Sequence, residues 1–448
     1  MGRILVDQGK AKVMFFYQNP SITAIQFALT GVLLAKWLAL VKHRLLKQLI
    51  VLHLVAALFA IMLLQSRTAG LALATGLLFV GYPYLRKWYS KQKIVFVAAA
   101  LLAFAIFLMS VFVKTQSSAG RVFIWQNCFR LLQKNWLCGV GWGKFNPAYN
   151  HEQALYFANH PITDGIALRA DDGYYAFNEW LHIWIETGIL GFLFFLVVTI
   201  LAVKISIKNI YKKEKWYGAL LIPLITACLF SYPLHNWLLL TTGILFTGIC
   251  LIDHFVAFET RKKFRNRFIM CFIIVAASLL SIWFYLQYQF SNARELAEEG
   301  RTNEAYGLST KYKFALNRDY RFTTFYLDLL YTMGRVDETI LNFNTFHHYH
   351  CNQILHSTVA GAYNETNDSL QAEKHFLTAL YIAPYRLQSR QDLFNFYFKR
   401  GDTVKAKYWA QQIIDCPMKI ITSKGIILKE QAEKFINSSP PSQTPSIP

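Results

Sequence analysis

Asn178-Glu-Trp-Leu-His-Ile-Trp-Ile-Glu-Thr-Gly-Ile-Leu-Gly-Phe-Leu-Phe-Phe-Leu-Val-Val-Thr-Ile-Leu-Ala-Val203 passes from a polar, aromatic opening into a run that carries no charge from Thr187 onward. A helix of about 20 apolar residues covers the roughly 30 Å hydrocarbon core of a bilayer, so 183–203 reads as a membrane span. It closes Gly120–Gly191, the one long charged segment set among hydrophobic stretches. What lies on either side reads as membrane scaffold or helical appendage.

Working outward, seven further spans are expected, about 22–41, 48–65, 69–85, 94–114, 217–232, 237–256 and 268–288. The chain is 54% apolar but only 16% charged, well below the roughly 25% usual for soluble domains. A net charge of +20 raises the question of nucleic acid, and its distribution answers it. The cations cluster in four short loops: Lys42, Arg44 and Lys47; Arg86, Lys87, Lys91 and Lys93; Lys204, Lys208, Lys212, Lys213 and Lys215; Arg261, Lys262, Lys263, Arg265 and Arg267. Cytoplasmic loops look like this under the positive-inside rule, which leaves both termini and the 115–181 loop outside and no reason to invoke nucleic acid. Met1–Pro20 holds no apolar core of a cleavable signal peptide. Seven cysteines form no CxxC and no metal-ligand spacing with histidine, so no metal or cofactor is expected, and a Cys128–Cys138 disulfide is not expected either.

Inside the loop, Val122, Trp125, Phe129, Leu132 and Trp136 recur at helical steps beside Arg121, Arg130 and Lys134. That pattern fits a helix lying on a lipid surface or packed on the spans. Gly139-Val-Gly-Trp-Gly143 follows no βαβ pattern and reads as a tight turn, not a nucleotide loop. After residue 290, Gly300, Gly334, Asn367 and Gly401 recur at 34, 33 and 34 residues between helical stretches. This is the tetratricopeptide period, so 291–436 is expected to stack as about four repeats whose concave face grips a protein partner. The Ser/Pro-rich tail 437–448 is expected to be disordered. The fold class is therefore all-α, a polytopic transmembrane helix bundle over 1–290 followed by a tetratricopeptide α-solenoid.

The charged residues suggest a chemistry. Residues 48–85 barely allow two crossings, which puts Arg67 at a tight external hairpin, and Arg121 opens the external loop. Guanidinium groups match phosphate oxygens and stay charged, so the pair suits a lipid-linked diphosphate and could stabilise it as a leaving group. An interfacial anchor is the plainer role for Arg67.

Arg67-Thr-Ala-Gly-Leu71 resembles the Arg-x3-Leu pattern of the O-antigen ligase and polymerase family, and Asn178, nine residues, then Gly188-Ile-Leu-Gly191 resembles the second half of its His-[Asn/Ser/Gln]-x9-Gly-x-x-[Gly/Thr/Val] motif. Gly120-Arg121 and the Gly139/Gly141/Gly143 turn also resemble that family's external loop. The resemblance covers roughly 10–250, and Phe16-Tyr-Gln-Asn-Pro20 is similar to an internal segment of its members, so further spans upstream are expected. It implies a bundle of the multi-span (GT-C-type) glycosyltransferase kind in the bacterial inner membrane, with a periplasmic C-terminal domain. It also implies a metal-independent inverting transfer of glycan from an undecaprenyl-diphosphate donor to lipid A-core, a lipid-linked repeat, or a protein Ser or Thr. Arg67 and Arg121 would inherit the diphosphate-binding role. From the residues themselves, Lys144 could add a phosphate contact or be a surface lysine, His235 could line the same cavity or be a simple turn histidine, and Arg130 and Asn178 are further substrate-contact candidates.

One position departs from the motif. Phe177 stands where the family has histidine, the presumed acceptor-activating base. Glu179 and His182, with Glu186 one turn further, are the candidates to replace it, Glu179 first. A span-entry carboxylate paired with an arginine, and an interfacial aromatic contact, are their plainer roles. His160, Asp171 and Asp172 in the loop's polar middle could shape an acceptor cleft or be solvated loop residues. Two other classes compete: a ligase-like scaffold working through its repeats, which the missing histidine would explain, and a secondary transporter, disfavoured because no broken spans or buried carboxylates recur in paired halves.

Overall fold

The computed structural model describes residues 3–7, 10–14, 19–38, 40–89, 115–162, 164–211, 216–418 and 421–438. The expected span 94–114 and tail residues 439–448 lie outside them. The chain divides into two compact units, Met1–Thr115 with Tyr175–Leu280, and Gln116–Tyr174 with Ser281–Pro448. Apart from a two-stranded antiparallel hairpin, Arg3–Asp7 with Lys10–Met14, the described regular structure is helical.

Among the described residues, five helices are long and apolar enough to cross a bilayer: Pro20–Leu38, Arg44–Leu63, Glu179–Lys208, Trp237–Phe255 and Thr260–Glu298. The chain is a multi-pass helical membrane protein. Two expected spans differ from the reading above. Gly218–Phe230 has only 13 residues, about 20 Å of helix, because Ser231 and Pro233 end it early. Arg67–Tyr89 has the length, but Arg67, Pro83 and several Gly and Tyr residues dilute its apolar run. A tight turn at 64–66, with Gln65 in the left-handed region at φ 49°, joins Arg44–Leu63 to Arg67–Tyr89, and both helices pack on Pro20–Leu38.

Helices Pro20–Leu38, Arg67–Tyr89 and Gly218–Phe230 pack through small residues, including Ala24, Ala28, Ala69, Ala72, Ala219 and Ala227. Small side chains let helix backbones approach, the usual way helices associate in lipid. At Gly76 a Cβ would lie 2.4 Å from a Val32 methyl, so this approach needs glycine. Large apolar side chains elsewhere point outward: Leu52, Phe59, Phe194, Ile274 and Leu279 are all exposed, as lipid-facing residues should be.

In the second unit, helices from Thr302 to Ser438 follow one another through short turns. Gly300, Gly334, Asn367 and Gly401, the positions that repeat at 33 or 34 residues, all have positive φ and end a helix there. Asp319, Asn352, Asp368 and Asp402 cap the helices that follow. Aromatic and aliphatic side chains such as Phe322, Leu330, Phe346 and Leu355 fill the first core, and Phe376, Leu380, Leu393 and Phe396 the next.

The segment 116–174 belongs to this second unit. Helix Phe145–Asn159 lies on helix Ser369–Ile382. Its amides reach backbone groups that would otherwise be orphaned: Gln153 Nε2 donates to Ile382 O at 2.6 Å, Asn146 Oδ1 accepts from Cys351 N at 2.8 Å, and Asn150 Nδ2 donates to Cys351 O. Arg386 clamps the end of the segment, reaching Asp171 at 2.6 Å and Asp172 at 3.2 Å. Burial pushes the Asp172 carboxyl up to about 6 against the pull of Arg386. On helix Thr115–Asn135 the buried side chains include Phe123, Asn127, Cys128, Leu131 and Leu132; of the expected apolar stripe Leu132 is buried, whereas Val122, Phe129 and, just past the helix, Trp136 are exposed.

Candidate active site

The motif stretch folds as a capped, broken helix. Asn178 Oδ1 accepts from Leu181 N at 3.0 Å, which starts helix Glu179–Lys208. Phe177 precedes it at φ 53°, its ring edge-on to Tyr232 with centroids 5.2 Å apart. Gly188 interrupts the helix at φ 68°, ψ −169°, a conformation that excludes ordinary side chains and explains the motif's glycine. Ahead of that break, Glu179, His182 and Glu186 sit on one face at helical spacing, and all three are buried.

The fourth member of the group comes from the turn Pro233–His235. Glu179 Oε1 accepts from Leu234 N at 2.6 Å, and the same carboxylate lies 3.3 Å from His235 Nδ1. His235 Nε2 is 3.2 Å from His182 Nε2, which is 3.3 Å from Glu186 Oε1. The result is a row of close polar contacts, Glu179–His235–His182–Glu186. Ala176 N donates to His182 Nδ1 at 3.4 Å, which leaves the His182 proton on Nε2, within reach of Glu186 and His235. His235 then presents Nδ1–H to Glu179 and a lone pair at Nε2. Its side chain is 31% accessible, against 1% for Glu179 and 4% for His182. Burial works against a charge on His235, but the Glu179 carboxylate outweighs it and raises the imidazole's pKa.

Arg67 stands at the same end of this unit. Ser66 Oγ accepts from Ala69 N at 3.3 Å and caps the helix that Arg67 begins. Thr68 Oγ1 donates to Phe230 O at 3.3 Å, while Asn178 Nδ2 donates to the adjacent Leu229 O at 3.2 Å. The Arg67 turn and the carboxylate–imidazole row are thus tied to neighbouring carbonyls at one helix end. The helix N-terminus adds its partial positive charge to that of Arg67.

Three other candidates fall in the second unit. Arg121 lies on helix Thr115–Asn135. Arg130, on the same helix, sits 4.6 Å above the Tyr156 ring. Lys144 is exposed at the start of helix Phe145–Asn159, and its stem folds over Gly141. The loop glycines Gly139, Gly141 and Gly143 all have positive φ, as a tight turn requires. Asp171 and Asp172 are engaged by Arg386. What the sequence reading missed is the pairing of His235 with Glu179. The i,i+4 spacing of His182 and Glu186 was visible, but their partner stands 53 residues beyond His182.

A multi-pass membrane protein with an arginine-capped hairpin and a buried carboxylate–imidazole row is the class defined so far. Residues 52–196 match the family described as O-Antigen ligase, which supports that family over this stretch and glycan ligation as its general activity. The match includes Arg67, Arg121 and the Asn178–Gly191 motif, and ends before His235. No curated protein and no solved structure matches the chain.

Proposed function

We propose that the chain transfers a glycan from a polyprenyl-diphosphate donor to an acceptor hydroxyl, with His235 as the general base and Glu179 as its positioning partner. The observation that carries this is the Glu179–His235 contact at 3.3 Å beside the Arg67 turn. The sequence alone favours Glu179 as the base. Its carboxylate is buried and already occupied by Leu234 N–H and His235, which suits an orienting role better. With the His182 Nε2 proton given to Glu186, His235 Nε2, in the more accessible ring, is left to take the acceptor's hydroxyl proton. The hydroxyl oxygen then bonds to the anomeric carbon as the glycosidic C–O bond breaks, and the lipid diphosphate leaves with the bonding electrons. Glu179 stabilises the imidazolium as it forms, the part a carboxylate plays beside a catalytic histidine. His182 and Glu186 hold the second side of the row. This arrangement supplies the function that Phe177 cannot.

Arg67 takes the charge of the departing diphosphate, and Arg121 is assigned the same role on the strength of its motif. The donor is an undecaprenyl-type lipid on the periplasmic side of an inner membrane. The helices after Thr302 act as a tetratricopeptide-type solenoid that binds the acceptor or a partner protein. A groove of about 420 Å³ in that array, lined by Asp328, Tyr331, Asp392 and Phe396 among others, supports this. The test is reconstitution with a lipid-linked oligosaccharide and candidate acceptors, read by product mass. Wild type should yield glycosylated acceptor and free lipid diphosphate, and His235→Gln should yield neither above background. Full transfer by His235→Gln would remove the base assignment.

A further inference from the structure

Phe346-His-His-Tyr-His-Cys-Asn-Gln-Ile-Leu-His356 lies in the second unit, far along the chain from the family match, and holds four histidines and a cysteine. His347 ends helix Val336–Phe346, Cys351 sits in the connection, and His356 lies in the first turn of helix Gln353–Glu365. The fold brings their ligand atoms within 4.8 Å of one another. Cys351 Sγ is 3.3 Å from His356 Nε2, and both residues are buried. His347 Nδ1 is buried with no hydrogen-bond partner. A buried nitrogen left without a partner is costly, and a metal ion would satisfy it.

The surroundings are those of a held ligand set. His356 Nδ1 lies 2.9 Å from His375 Nδ1, the outer hydrogen bond that fixes the orientation and tautomer of a ligating imidazole. Tyr363 stacks on His375 with centroids 5.5 Å apart. The backbone of Cys351 is fixed on both sides by Asn146 and Asn150.

We propose that His347, Cys351 and His356 bind a zinc ion that pins this connection to its flanking helices. One thiolate with imidazoles is a zinc donor set, and in a tetrahedral site such ligand atoms stand about 3.5 Å apart. The Cys351–His356 separation already matches, and only His347 needs to close in. A water takes the fourth position. Binding is a simple exchange: the Cys351 S–H bond breaks, sulfur bonds to the metal, and one proton leaves to solvent for each ion bound. Nothing is oxidised or reduced.

The test uses the full chain in detergent, stripped with a chelator and titrated with cobalt(II), which reports its ligands by colour. One equivalent should bind, with a near-ultraviolet thiolate-to-cobalt absorption and visible bands of tetrahedral geometry, and zinc should displace it. Cys351→Ser should abolish the near-ultraviolet absorption. His375→Phe, which leaves all three ligands in place, should weaken retention by about tenfold or more. A wild-type chain that binds no cobalt, or that binds it without the thiolate absorption, overturns the proposal. So does an absorption that persists in Cys351→Ser. Far-ultraviolet circular dichroism of each variant shows that its helices have formed.

Discussion

Glu179→Gln isolates the charge of the proposed dyad from its shape. The glutamine carbonyl still accepts the Leu234 N–H now 2.6 Å from Glu179 Oε1, so the Pro233–His235 turn keeps its anchor. What disappears is the negative charge 3.3 Å from His235 Nδ1. A hydrogen bond to a charged partner contributes about 1.5–3 kcal/mol, and this one is strongest when His235 has become an imidazolium. Its loss should therefore lower kcat/KM by about 10- to 150-fold. The pH profile gives a second, independent readout. Glu179 raises the His235 pKa above its ordinary value of 6.5, so wild-type transfer should climb with pH on an acid limb lying above 6.5. In Glu179→Gln that limb should move toward acid, because the base gives up its proton more readily without the carboxylate. For stability the sign is opposite: the charged His235–Glu179 pair favours the folded state below pH 6.5, and that contribution fades as pH rises through the folded pKa. The assay is initial-rate glycan transfer in proteoliposomes across pH. A variant with the wild-type rate and an unmoved limb would refute the dyad.

Other consequences can be checked in parallel. Arg67→Ala and Arg121→Ala should each abolish transfer while membrane insertion, read by protease protection, stays intact. Gly188→Ala forces a side chain to φ 68°, ψ −169° and should cost about 1–3 kcal/mol, seen as a lower melting temperature, with loss of transfer as the Glu179–Glu186 face shifts. Arg386→Ala strips Asp172, whose side chain is 9% accessible, of its counter-charge and should cost about 1–3 kcal/mol, with faster limited proteolysis within 145–174.

Much of this architecture is legible because it depends on local rules. A residue that must adopt positive φ at a helix end announces itself, and Gly300, Gly334, Asn367 and Gly401 all do. The tight turn before Arg67 follows from length, since residues 48–85 are too long for one crossing helix. Glu179, His182 and Glu186 follow from helical periodicity. Other features depend on contacts between distant segments and leave no periodic trace. The approach of His235 to Glu179 is one, set by a turn 53 or more residues away. The seating of 145–174 is another, because Asn146, Asn150 and Gln153 read from sequence as ordinary polar helix positions yet bind the backbone near Cys351 and Ile382. The ligand-type cluster at His347, Cys351 and His356 fits no standard ligand spacing, and the histidine-rich composition of the stretch was its one visible sign. The N-terminal hairpin Arg3–Met14 has no strong strand or turn signature beside the apolar spans that follow it.

The most direct test of glycan transfer is to follow the donor's reducing end. Proteoliposomes holding the wild-type chain, a lipid-linked oligosaccharide and an acceptor should release one lipid diphosphate for each glycan gained by the acceptor, and Arg67→Ala should release none. Intact donor after prolonged incubation with every acceptor class, or equal release by wild type and Arg67→Ala, would contradict the account.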